Sequence, residues 1–301
     1  MTYSIVARDP ETGQFGVAVQ SHWFAAGSVV PWAEAGVGAV ATQAQAEMSY
    51  GPRGLALLRE GATATDALAQ LLAADEDREV RQVAVVDARG TIATHTGSRT
   101  IPAAGHATGA AFSCQANMMW EPTVWDAMAA AYTGASGDLA ARLLAALDAA
   151  EAERGDIRGR QAAGILIVGA ERLDEPWRGV RMHLHADDHP VPNAELRRLV
   201  EVHRAYEHLE ASEELQLERD DDGVARERAS ALSAGPGLIE VRFWAAIGLA
   251  GEGRIEEARE LIAPVFAADP GWRELLRRLR DHDLLDVRPE AAEALLEDPR
   301  R

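Results

Sequence analysis

Polar and apolar positions alternate along the first stretch of the chain. "YSIVAR" and "FGVAVQS" are two β-branched, apolar runs separated by "DPETGQ". Asp, Pro, Thr and Gly between such runs predict a hairpin turn. "GVGAVATQA" predicts a third strand, and "RQVAVVDARGTIATHTG" a second hairpin turning at residues 87–90. "AAGHATGAAFSCQANMM" holds another short strand, "QAAGILIVGA" a buried one and "VRMHLHADD" one with the character of an edge. Between these groups the period changes to that of helices. "GPRGLALLREGATATDALAQLLAADEDR" contains two, the second capped by Thr63 or Thr65. "TVWDAMAAAY" and "GDLAARLLAALDAAEAERG" are two more, with Asp138 near the start of the latter. Two groups of strands enclosing helical segments predict a layered α+β fold rather than strict βαβ alternation.

From "PNAELRRLVEVHRAYEHLEASEELQLERDDD" onward the pattern is almost wholly helical. "ERDDDG" is the most acidic and least apolar stretch, and a domain boundary is expected between Leu209 and Gly223. This gives a first domain over 1–210 and an all-α domain over 224–301. "EVRFWAAIGLAGEGRIEEARELIAPVFAADPGWRELLRRL" predicts a helical hairpin turning at 251–254, similar to a single tetratricopeptide-type unit.

Composition narrows the function. The net charge of -18 makes nucleic acid or an anionic membrane an unsuitable partner. All 30 basic residues are Arg, which excludes a Schiff-base enzyme and a phosphate loop of the Lys type. One Cys, Cys114, excludes an intramolecular disulfide, and the expected state is a small buried residue. The start lacks the apolar core of a signal peptide, and the apolar run at 162–169 is too short to span a bilayer. A cytoplasmic protein is expected. "GVGAVA" lacks dinucleotide-binding spacing, and no cofactor is expected.

The first hairpin brings one chemically suggestive corner together. With the turn near residues 10–13, Thr2 lies opposite Gln20 or Ser21, with His22 just beyond. Thr2 is small enough for ordinary removal of Met1, which frees an α-amine of pKa about 7.7–8.0. Such an amine can accept the proton of its own Oγ, making one residue both nucleophile and base. The plain alternative is a β-branched residue filling the start of a strand.

"TYSIVARDPETGQFGVAVQSHWFAAGSVVPWAEAGVGAVATQ" resembles the opening of the bacterial domain of unknown function 1028 family. "YGPRGLALLREG", "CQANM", "GDIRGRQAAGILIV" and "ADDHPVPNAELRRL" continue the resemblance in order over about residues 2–209. The family is similar in fold to N-terminal nucleophile hydrolases. The resemblance implies a four-layer αββα sandwich, Thr2 as nucleophile and amide-bond hydrolysis; the hairpin register offers Ser21 and His22 to orient the terminus. Asn117 either offers its amide to the oxyanion or makes a turn hydrogen bond; where the family has Gly-Asn, this chain has Ala116-Asn117. Where the family usually has Ser, this chain has Ala163. The helical tail is similar to tails described as peptidoglycan-binding.

Asp156, Arg158, Arg160 and Gln161 precede an apolar strand and form a candidate substrate-binding loop. An Arg–Asp pair there either binds a substrate carboxylate or clamps the loop. His183 and His185 share one face of a strand, as metal ligands must, but the resemblance covers Asp187, Asp188 and His189 instead. No metal site is expected. Trp23, Phe24 and Trp32 line either a pocket, a homodimer face or the core. Two functions follow. One is an amide hydrolase acting on a small amide or peptide-like substrate. The other is a non-catalytic scaffold whose helical tail recruits a peptide or glycan.

Overall fold

The computed structural model describes residues 2–285 and 287–297. Its contacts divide the chain into two units, Met1–Leu199 and Val200–Arg301.

In the first unit, β1 (Thr2–Arg8) and β2 (Phe15–Ser21) form the expected hairpin, with Tyr3 paired to Gln20. Gly13 takes the left-handed turn position at φ +75°, and Asp9 accepts hydrogen bonds from Glu11 N and Thr12 Oγ1. This register sets Thr2 level with Ser21. The hairpin lies at the centre of a six-stranded antiparallel sheet. β8 (Phe112–Asn117) and then β7 (Gly105–Gly109) flank it on one side. β9 (Ala162–Val168) and then β10 (Val180–Ala186) flank it on the other. A second sheet of four strands runs β3 (Pro31–Glu34), β4 (Gly38–Ala44), β5 (Arg81–Asp87) and β6 (Ile92–Thr96).

Helices α1 (Tyr50–Arg59) and α2 (Ala64–Ala73) cover the smaller sheet. The larger sheet is covered by α3 (Val124–Gly134) and α4 (Leu139–Ala152). The result is the αββα sandwich, with both sheets antiparallel. Thr63 caps α2 by accepting from Asp66 N, and Asp138 caps α4 by accepting from Ala141 N.

Alternation along the strands decides which side chains meet. Val6, Val17, Val19, Ala39, Ala41, Ala84 and Val86 fill the space between the sheets. Tyr3 and Ile5 point the other way, and both are fully buried. Burying each such side chain contributes about 1.5–3 kcal/mol. Gly16 admits α4 to this face, because a Cβ there would stand 2.6 Å from Leu143.

α5 (Pro192–Glu218) runs as one continuous helix across the division between the units. It is followed by α6 (Asp221–Ala234), α7 (Ile239–Gly251), α8 (Ile255–Ala268), α9 (Gly271–Asp281) and α10 (Pro289–Leu296). The turn expected at 251–254 joins α7 to α8, with Gly253 at φ +83°. Phe243, Ala246, Ile262, Leu276 and Leu295 form the core of this second unit. Among the described residues, no helix is long and apolar enough to cross a membrane.

Candidate active site

Three strand ends meet at one end of the sandwich: β1 begins at Thr2, while β2 ends at Ser21 and β8 at Asn117. Thr2 and Asn117 are register partners. Thr2 Oγ1 donates to Ser21 Oγ at 3.1 Å. Thr2 is 6% exposed, while Ser21 and Asn117 are buried more deeply still.

Behind this pair lies a layer of buried polar side chains between the sheets. Ser113 Oγ donates to Gln115 Oε1 (2.8 Å), Gln115 Nε2 to Ser4 Oγ (2.6 Å) and Ser4 Oγ to Gln43 Oε1 (2.6 Å). Gln43 Nε2 then donates to Gln82 Oε1 at 2.7 Å, where Asn117 Nδ2 also donates at 3.0 Å. Gln82 Nε2 closes the chain on the carbonyl of Ala116 at 2.9 Å. Linked hydrogen bonds of this kind strengthen one another in a low dielectric. Their focus is the Thr2 backbone, whose carbonyl oxygen accepts from Gln43 Nε2 (3.2 Å) and Asn117 Nδ2 (3.4 Å). Asn117 therefore spends its amide hydrogens on Gln82 and on the Thr2 carbonyl.

The loop over residues 155–161 closes the same end. Asp156 forms a bridge with Met119, just past the end of β8. Its carboxylate accepts from His22 N (3.1 Å), Arg158 N (2.9 Å) and Arg158 Nη2 (3.0 Å). His22 Nδ1 lies 3.1 Å from the carbonyl of Arg160. A carbonyl only accepts, so this nitrogen carries the proton and Nε2 is left as the acceptor. Asp156 and Arg158 thus stand as a clamp that ties the loop to the end of β2. Arg160 Nε pairs with Glu151 at 3.2 Å, and Gln161 Nε2 reaches Asp188 at 3.5 Å. Glu151 also accepts from Tyr3 OH at 2.6 Å. Burial and Glu151 push the Tyr3 phenol well up, so it remains a donor. Tyr3 follows Thr2 in the strand and faces the opposite side, so the Arg160 guanidinium lies on that opposite face.

Gln43, Gln82 and Gln115 went unread in the sequence, although a signal exists. Gln43 and Gln82 occupy inward registers of strands whose other inward residues are small or apolar, Gln115 lies between Ser113 and Asn117 on the inward face of β8, and all three lie near the same strand ends as Thr2. Gln20 is a different case: it is fully buried, and neither amide atom has a partner among the described residues.

Cys114 is buried, and burial pushes its thiol far above the usual range, so it stays protonated. His183 and His185 face each other, Nε2 to Nε2, at 2.9 Å, and burial followed by the neighbouring His185 holds the His183 pKa down. Among the described residues, no group of three or more His, Cys, Asp or Glu could hold a metal ion. Trp23 and Phe24 are 63% and 62% exposed immediately after His22, whereas Trp32 packs partly buried against the α1–α2 core.

The chain belongs to the family of unknown function DUF1028, whose model matches residues 2–196. The crystal structure of a Silicibacter pomeroyi protein described as a member of the same family is similar, with a TM-score of 0.60 and 32% identity. That similarity covers 66% of this chain and 87% of the other. No curated protein matches the chain.

Proposed function

We propose that the first unit is an N-terminal nucleophile amide hydrolase acting, in a cytoplasmic setting, on a small amide or peptide-like substrate. Removal of Met1 leaves Thr2 with a free α-amine beside its own hydroxyl. Thr2 Oγ attacks the amide carbonyl and the amine takes the hydroxyl proton. Collapse of the tetrahedral intermediate breaks the C–N bond. The leaving nitrogen receives that proton, and an acyl ester remains on Oγ. Water, deprotonated by the same amine, hydrolyses the ester and restores the hydroxyl.

The observation that carries this reading is the 3.1 Å hydrogen bond from Thr2 Oγ1 to Ser21 Oγ at the head of the central strand. Ser21 orients the nucleophile, and His22 offers Nε2 at the rim. Asn117 positions Thr2 through its carbonyl. To serve the oxyanion it exchanges that longer, 3.4 Å bond for the new charge. Asp156 and Arg158 tie the loop to the β2 end, and the exposed Trp23 and Phe24, just after His22, offer apolar surface to a substrate.

The low exposure of Thr2 favours a second reading, a catalytically idle scaffold. Trapping separates the two. The processed protein, treated with small activated amides and quenched in acid, should carry one acyl group on the Thr2 peptide. Thr2→Ala should carry none, and Thr2→Ser should be labelled. Unlabelled Thr2 across an amide panel, with the protein folded, supports the scaffold.

A further inference from the structure

The helical unit contains an open groove of about 770 Å³ lined by α5, α7 and the segment after α9. Its apolar side is made by Leu209, Trp244 and Ile247, and Leu217 and Leu284 stand at its mouth, 78% and 68% exposed. Its charged side is acidic: Glu210, Glu213, Glu214 and Glu240 line it beside the neutral Gln216 and Tyr206, and among the described residues no Arg or His does. Glu240 is held in place by Tyr206 OH at 3.0 Å and by the Trp244 indole.

Among the described residues, the other three carboxylates have no ion-pair partner. Glu210, Glu213 and Glu214 follow one face of α5 at i, i+3 and i+4, a spacing at which like charges repel. Elsewhere in the same unit, acids at this spacing face arginines: Glu201 pairs with Arg204, Glu257 with Arg254 and Glu274 with Arg277. Arg228, behind Gly248, is already committed to Glu252. Burial, and then Glu210, push the Glu213 carboxyl up, the signature of an acid packed against apolar surface with nothing to neutralise it.

We propose that this groove docks a basic amphipathic helix of a partner protein. The partner's aliphatic side chains lie against Leu209, Trp244 and Ile247, and its Lys or Arg residues pair with Glu210, Glu213 and Glu214. From 210 to 217 the α5 face extends about 11 Å, matching two turns of the incoming helix. The inference stands independently of the chemistry at Thr2.

The test uses the full chain and a fluorescent, helix-forming peptide of about 14 residues built from Leu and Lys, four turns long. Its counterpart carries Glu in place of every Lys. Anisotropy at physiological salt should show saturable 1:1 binding of the Leu–Lys peptide, with the Leu–Glu peptide roughly 100-fold weaker. Glu210→Gln, Glu213→Gln and Glu214→Gln together should weaken binding roughly 10-fold, as three partly exposed ion pairs are lost. Neutralising Glu11, Glu60 and Glu76, exposed acids outside the groove, should leave it unchanged. Circular dichroism confirms that both triple variants fold. Absence of saturable binding overturns the proposal, and so does equal weakening in both triple variants, which shows attraction to bulk charge only. A dimer of the free chain that the groove variant abolishes overturns it in favour of a second copy as the occupant.

Discussion

Asn117 of the six-stranded sheet donates to Gln82 of the four-stranded sheet at 3.0 Å, and Asn117 stands directly opposite Thr2. One glutamine in the second sheet thereby fixes the neighbour of the proposed nucleophile in the first. Gln82→Leu removes the shared acceptor of Gln43 and Asn117 and leaves both buried amides short of a partner. The expected destabilisation is about 3 kcal/mol, read from urea unfolding midpoints. Any Thr2-dependent turnover should fall with it, because the donors that hold the Thr2 carbonyl lose their anchor.

Gln20 offers the opposite opportunity. Its amide is buried without a partner, and its register partner on β9 is Ala163. Directly opposed Cβ atoms lie about 4.5–5.5 Å apart, within reach of a hydroxyl and a glutamine amide. Ala163→Ser should therefore stabilise the first unit by about 1 kcal/mol. Scanning calorimetry should show the midpoint rising by about 2–4 °C.

Asp156 joins the end of β2 to the loop over 155–161. Asp156→Ala removes the carboxylate that the His22 amide and Arg158 share, at a cost of about 2 kcal/mol. Amide exchange at His22 should accelerate more than exchange along β9. Asp156→Asn, which keeps one acceptor oxygen, should lose about half as much.

Asp75 sets an acid limit on the same unit. Its hydrogen bond from Arg81, and then that from Tyr50, hold its carboxyl down to about 2. An unfolded Asp titrates near about 3.9. The folded value is the lower one, so this contribution is complete above about pH 4 and is lost as the pH falls through about 2. Asp75→Asn should cost about 1 kcal/mol at neutral pH, since water reaches the pair, and should flatten the stability profile within that window.

The layered α+β pattern was legible in the sequence because its longer strands are strongly apolar and its turns carry Gly, Asp and Pro, while the αββα order was implied by the family resemblance. The β1–β2 register was legible too, since a short hairpin leaves Thr2 little choice of neighbour. β3 was not, because a four-residue strand beginning at Pro31 lacks the length to show a period. "GHATG" hid β7, a Gly-rich edge strand with few apolar residues to mark it. The polar layer of Gln43, Gln82 and Gln115 is visible only once two sheets face each other, since a strand glutamine by itself reads as a surface residue. α5 runs unbroken to Glu218, where the acidic stretch begins, because its Glu, Gln, Leu and Ala are good helix formers whatever their charge.

The central claim, that Thr2 acts through its own freed amine, is tested most directly by intact mass spectrometry of the cell-derived protein alongside its turnover of small amides. The account predicts an active protein whose mass lacks one methionine residue, whose first residue is Thr2, and whose activity disappears when the α-amine is selectively blocked. Full activity in a chain that still carries Met1 would contradict it.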